Sequence, residues 1–190
     1  MIRRVAFVIL CASALSARDV AAQKATDHEV IYVLRSIREQ KVPAGDWCTA
    51  ARAGFDPLPK DAERFFSFWT IKTAPDDGHV VETKGAEAAQ MHACFGATSE
   101  RPRLNFYAEV TLGSVSFIGK GECTAVMIDV PEPGLIPAQC RLVLSGLRAP
   151  YVGGLLTTNT LTSRSAFGGS TDPAGYTQAS IATIRLWKAR

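Results

Sequence analysis

Between residues 103 and 122, hydrophobic and polar side chains alternate almost without interruption. Leu104, Phe106, Ala108, Val110 and Leu112 are separated by Asn105, Tyr107, Glu109 and Thr111. Period two is the mark of a strand with one buried face. Gly113-Ser114 follows, and a glycine at the first position of a two-residue turn suits a type II′ hairpin. Such a turn fixes the register. It sets Leu112 opposite Val115, Val110 opposite Phe117, Ala108 opposite Gly119, and Phe106 opposite Gly121. This face is apolar, and Gly121 leaves room for the ring of Phe106. The other face pairs Thr111 with Ser116, Glu109 with Ile118, Tyr107 with Lys120, and Asn105 with Glu122. Gly119 and Gly121 also suit the bends that a small barrel needs.

The same period predicts strands over 64–73, 79–84, 89–96, 103–112, 115–121, 123–130, 138–147, 152–162 and 178–187. Turn residues separate most of them, such as Pro75-Asp76-Asp77-Gly78 and Pro131-Glu132-Pro133-Gly134. Residues 26–40 read differently. Val30, Val33, Leu34 and Ile37 recur at helical spacing between Glu29, Arg35, Arg38 and Glu39, which predicts a short N-terminal helix. Thr26 or Asp27 caps it, and Pro43 and Gly45 stop it. The expected fold class is therefore all-β with a short N-terminal helix. Its architecture is a small antiparallel meander barrel of about eight strands, with a two-sheet sandwich as the alternative. The expected division is 1–22 as leader, 23–62 as helix and loop, and 63–190 as barrel.

The leader comes from the N-terminal pattern. Arg3 and Arg4 precede an apolar run over Val5–Leu15, and Val20-Ala21-Ala22 offers small residues for cleavage. That is the layout of a secretory signal peptide. The run is shorter than the ~20 residues of a membrane helix, so no membrane span is expected. Leu10 before Cys11 is too large for a lipoprotein signal. The expected localisation is thus secreted or periplasmic, after cleavage near Ala22.

Cleavage changes the composition. The 190-residue chain has 21 basic and 18 acidic residues, a net charge of +3. Removing Arg3, Arg4, Arg18 and Asp19 leaves 18 basic and 17 acidic residues. No basic stripe remains, so nucleic acid is not an expected partner. Cys11 also leaves, and Cys48, Cys94, Cys123 and Cys140 form an even set in an oxidising compartment. Cys123 and Cys140 lie in consecutive predicted strands, which favours that bridge and leaves Cys48–Cys94 as the second. No CxxC is present and His28, His79 and His92 are scattered, so no metal or other cofactor is expected.

Motifs for chemistry are few. There is no G-x-S-x-G, and the hydroxyls Thr162, Ser163, Ser165 and Ser170 read as a polar surface loop. Gly153-Gly154 and Gly168-Gly169 lack the spacing of phosphate loops. Tyr107, Glu109 and Lys120 share the polar face of the hairpin and are the candidates for acid–base work, if that face lines a cavity. A solvated outer face is the structural reading of the same three residues. His92 shares a strand face with Gln90 and Cys94, which reads as a hydrogen-bonded histidine beside a disulfide. Thr157, Thr158, Asn159 and Thr160 mark a possible ligand contact, and the 168–175 loop a lid at the barrel mouth.

Gly45-Asp46-Trp47 resembles the G-x-W tripeptide near the first strand of lipocalins, and Arg185 is loosely similar to the arginine that packs on that tryptophan. A Pro- and Ala-rich loop follows the tripeptide and no T-D-Y motif lies downstream, so the resemblance implies an architecture and no activity. Allene oxide cyclase and dirigent-type barrels give a second architectural analogy. The expected function is binding of a small apolar molecule inside the barrel. Its alternatives are a cofactor-free isomerase or cyclase in a barrel cavity, and a secreted envelope interaction protein.

Overall fold

Eight strands hydrogen-bond in the circular order β1-β10-β9-β8-β7-β6-β5-β2, every pair antiparallel, so the sheet closes on itself. The computed structural model describes residues 28–42, 47–48, 63–97, 102–128, 134–163 and 179–190. The strands are β1 (Glu29–Val42), β2 (Glu63–Thr70), β3 (Lys72–Thr73), β4 (Val80–Glu82), β5 (Glu87–Ala97), β6 (Arg103–Leu112), β7 (Val115–Ala125), β8 (Leu135–Ser145), β9 (Tyr151–Ser163) and β10 (Ala179–Lys188). β3 and β4 pair only with each other, as a small hairpin within the β2–β5 connection. The rest is a meander in which each strand pairs with its chain neighbour. Closure removes every open edge of the main sheet. The two-sheet alternative is thereby set aside. Among the described residues, no helix is long and apolar enough to cross a membrane.

The hairpin register holds at every pair named from the sequence, from Leu112↔Val115 to Asn105↔Glu122. Gly113 adopts φ 57°, the left-handed region that its turn requires. One strand boundary and one residue's role differ. The break expected near Glu122 is absent, because β7 runs unbroken from Val115 to Ala125 with Glu122 on the outer face. The role of Gly121 also differs. A Cβ there would lie 1.9 Å from the carbonyl oxygen of Arg141, so the glycine permits close approach of β8, whatever it does for Phe106.

The N-terminal helix expected over 26–40 is not formed. Its residues build β1, which pairs with β10 from Glu29↔Trp187 to Ile37↔Ala179 and with β2 from Leu34↔Thr70 onward. Val30, Ile31 and Val33 are β-branched and Tyr32 is aromatic, side chains that suit a pleated surface. Leu34 and Ser36 point inward and are buried, whereas Ile31 and Val33 are 45% and 46% exposed. The barrel therefore begins in the segment expected to precede it.

Inward side chains fill most of the barrel, with Phe66, Phe106 and Ile136 buried in the same cluster as the residues of its middle. Phe68, Leu142, Ile184 and Leu186 are 0% exposed, and Val110, Phe117, Leu144 and Leu156 nearly so. A side chain with no accessible surface has no water-sized space beside it. Eight strands leave an interior just wide enough for such filling, and each fully buried large residue stabilises the fold by roughly 1.5–3 kcal/mol. Both predicted disulfides are present. Cys123 faces Cys140 directly across β7 and β8, and Cys48 is bonded to Cys94 of β5.

Topology gives the barrel unlike ends. At one end lie the strand termini that connections 43–62, 98–102, 126–134 and 164–178 join. The other end carries the Gly113-Ser114 turn, the 146–150 turn and the β3–β4 hairpin. Residues 1–22, the residue 168–175 loop, Ser165 and Ser170 lie outside the described residues.

Candidate functional site

At the loop-bearing end the interior changes character around its circumference. On β1, β10 and β9 the inward residues are Ser36, Ser180, Thr158, Thr160 and Thr162. Ser36 pairs with Ser180, Ser180 with Thr160, and Thr160 with Ala138, so these positions follow one hydrogen-bonding row. Ser36, Thr158 and Thr162 are buried, while Thr160, Ser180 and Ala138 are half-buried. The Thr158 hydroxyl accepts a hydrogen bond from the Cys140 N–H at 3.1 Å. On β2, β5 and β6 the same level is aromatic. Phe95 and Phe106 stack with centroids 4.2 Å apart, and Phe66 tilts against Phe95 at 6.2 Å. Between the two arcs lies the Cys123–Cys140 bridge. This end thus has an aromatic side and a hydroxyl side, of which Phe95, Thr160, Ser180 and Ala138 are half-buried and Phe66, Phe106, Ile136 and Ser36 are buried. Thr162 and Ser163, expected in a surface loop, are both buried at the end of β9 because that strand runs to Ser163.

The acid–base candidates lie elsewhere. Tyr107, Glu109 and Lys120 are on the outer face of β6 and β7, pointing away from the barrel interior. The Tyr107 hydroxyl donates to Glu109 Oε1 at 3.3 Å, and the Lys120 ammonium lies 5.6 Å from the Tyr107 ring. Burial, then the charge of Glu109 and its hydrogen bond, push the Tyr107 phenol above its usual pKa. The phenol therefore stays protonated at neutral pH and serves as a donor.

Beside them is a cluster whose members are far apart in sequence. His92 stacks between Trp47 at 3.6 Å and Phe65 at 4.2 Å, and Trp47 also tilts against Tyr107 at 5.6 Å. His92 Nε2 lies 3.1 Å from Glu63 Oε2, and Glu63 Oε1 accepts the Cys48 N–H at 3.3 Å. Glu63 is only 5% exposed. A buried carboxylate needs such partners to be tolerated. With both faces of the imidazole covered, the pair acts as a fastener. Together with the Cys48–Cys94 bond it pins Trp47-Cys48, part of the β1–β2 connection, to the barrel wall next to the mouth.

Trp47 packs on His92 and Tyr107, whereas Arg185 of β10 lies 3.6 Å from Glu29 of β1 on another side of the barrel. The tryptophan–arginine packing of lipocalins is not reproduced by this pair. His79 is exposed and lies 2.5 Å from Asp77, which accepts from it in the β3–β4 hairpin.

The fold is an eight-stranded antiparallel meander barrel braced by two disulfides. No protein-family model, curated protein or solved structure matches this chain.

Proposed function

We propose that the chain is an exported, non-catalytic binding protein that takes one small molecule at the loop-bearing mouth of its barrel. The observation that carries this reading is the division of the mouth into a Phe66–Phe95–Phe106 arc and a Ser36–Ser180–Thr160 arc. Phe95, Thr160, Ser180 and Ala138 are the half-buried members of this end, while Phe66 and Phe106 belong to the side chains that fill the interior. An aromatic wall facing hydroxyls suits a largely apolar, flat molecule with hydrogen-bonding groups along one edge. Loops carried by a rigid scaffold are the usual place for such a site. Export is supported by the N-terminal pattern of charged, apolar and small residues and is compatible with two disulfides.

A direct test uses anilinonaphthalene sulfonate, which has a flat aromatic body and one polar edge. The dye is expected to bind with one-to-one stoichiometry and to be excluded by Ala138→Trp, which places an indole beside Thr160. Equal uptake by the folded Ala138→Trp variant would overturn the assignment to the mouth.

A further inference from the structure

The outer wall of β2, β5 and β6 carries a groove of about 350 Å³, lined by Phe65, Ser67, Gln90, His92, Glu109 and Thr111 among others. Its volume falls within the roughly 300–1,000 Å³ of small-molecule sites. Strand register explains its form. Phe65, His92 and Glu109 make one row across three strands, and Ser67, Gln90 and Thr111 make the next. Alternation sends all six side chains to the same face.

The two rows offer different chemistry. The first presents an aromatic ring, with Phe65 38% exposed and stacked on His92. It ends in the Glu109 carboxylate, whose Oε1 accepts from Tyr107 and whose other oxygen is a further acceptor. The second row is two hydroxyls and an amide. Gln90 donates one N–H to Glu87 at 2.8 Å and retains a second N–H and its carbonyl oxygen. The groove is therefore a ring platform bordered by a mixed line of donors and acceptors. An apolar ligand would leave the polar row desolvated. An anion would face Glu109 and Glu87. A cation would meet a competing positive charge, the Lys120 ammonium over the neighbouring Tyr107 ring, and would leave the donors of Gln90 and Thr111 without acceptors. A neutral polyol ring meets both rows at once. Its C–H face covers the exposed part of the Phe65 ring, and its equatorial hydroxyls exchange hydrogen bonds with Gln90, Thr111 and Glu109.

We propose that this groove is a saccharide-binding site, separate from the barrel mouth. Cellobiose, maltose and N,N′-diacetylchitobiose, each titrated at millimolar concentration into isotope-labelled full-length protein, test it. At least one is expected to shift the amides of Ser67, Gln90 and Thr111. Phe65→Ala and Gln90→Ala are each expected to weaken that binding about tenfold. Both positions are exposed, and amide spectra report whether the variants fold. Three results would overturn the proposal. One is no shift with any of the three sugars. Another is shifts confined to the mouth at Thr158, Thr160 and Ser180. The third is unchanged affinity in the folded Gln90→Ala variant. Tighter binding of tryptamine than of any sugar at the same amides would reassign the groove to a cation and equally overturn it.

Discussion

Glu63 and His92 meet at 3.1 Å across β2 and β5, and the same carboxylate receives the backbone N–H of Cys48. One buried side chain therefore links two strands to the β1–β2 connection. Glu63→Ala leaves the Cys48 N–H without that acceptor and His92 without its partner. The expected loss of stability is about 1–3 kcal/mol for the unsatisfied group. Urea unfolding measures it. A loss no greater than that of an exposed control such as Glu82→Ala would show that the link does not hold the segment.

The two bridges should differ in what they contribute. Cys48–Cys94 spans a sequence separation of 46 and Cys123–Cys140 one of 17. Loop-closure entropy assigns them about 4 and about 3 kcal/mol. The Cys48→Ala/Cys94→Ala double variant should therefore be less stable than Cys123→Ala/Cys140→Ala by about 1 kcal/mol. Guanidinium midpoints on the two variants check the order, and the reverse order would mean that packing, not chain constraint, dominates.

Alkaline pH probes the outer cluster. Tyr107 titrates above its ordinary value of 10.0 in the folded protein, chiefly through burial and then through Glu109. The unfolded chain then loses its proton first. Stability is expected to be complete below pH 10 and to fall as the pH rises from there through the folded value. Tyr32, raised by burial and by Tyr151, adds a fall of the same sign. Tyr107→Phe should flatten the decline without removing the part due to Tyr32. Denaturation midpoints between neutral and strongly alkaline pH would show it, and an unchanged slope in the variant would contradict it.

β7 tolerates little at one glycine. A methyl group at Gly121 would strike the Arg141 backbone at 1.9 Å, whereas one at Gly153 would meet only the Trp187 ring at 3.5 Å. Overpacking of this kind costs typically 1–3 kcal/mol and sometimes more. Gly121→Ala is expected to destabilise by at least that amount, and Gly153→Ala by less than about 1 kcal/mol. Thermal unfolding of the two variants makes the comparison.

How far each element could be read depends on its surroundings. The register of the β6–β7 hairpin was legible to the residue because its outer face is mostly polar and its turn fixes the pairing. β1 was not, because its outer face is apolar as well. Ile31 and Val33 stay half-exposed on the wall, so the alternation vanishes and Val30, Val33, Leu34 and Ile37 mimic a helical stripe. The β-branched run itself was the signal to weigh. Cys123–Cys140 followed from strand order. Tyr107 and Glu109 were visible as neighbours on one face of one strand. Glu63 and Phe65 could not be joined to His92 from sequence, since the β2–β5 register passes a whole inserted hairpin and contains a bulge. The mouth was half legible: Thr158 and Thr160 stood out, but the opposing Phe66, Phe95 and Phe106 looked like ordinary core residues.

Native mass spectrometry of the protein purified from an exported compartment, beside Thr160→Trp, tests the central claim most directly. The mouth reading expects the wild-type chain to carry one small organic molecule that denaturation releases. It expects the Thr160→Trp chain, folded and with both disulfides formed, to carry none. A wild-type spectrum showing only the bare chain, or the same adduct on both proteins, would contradict it.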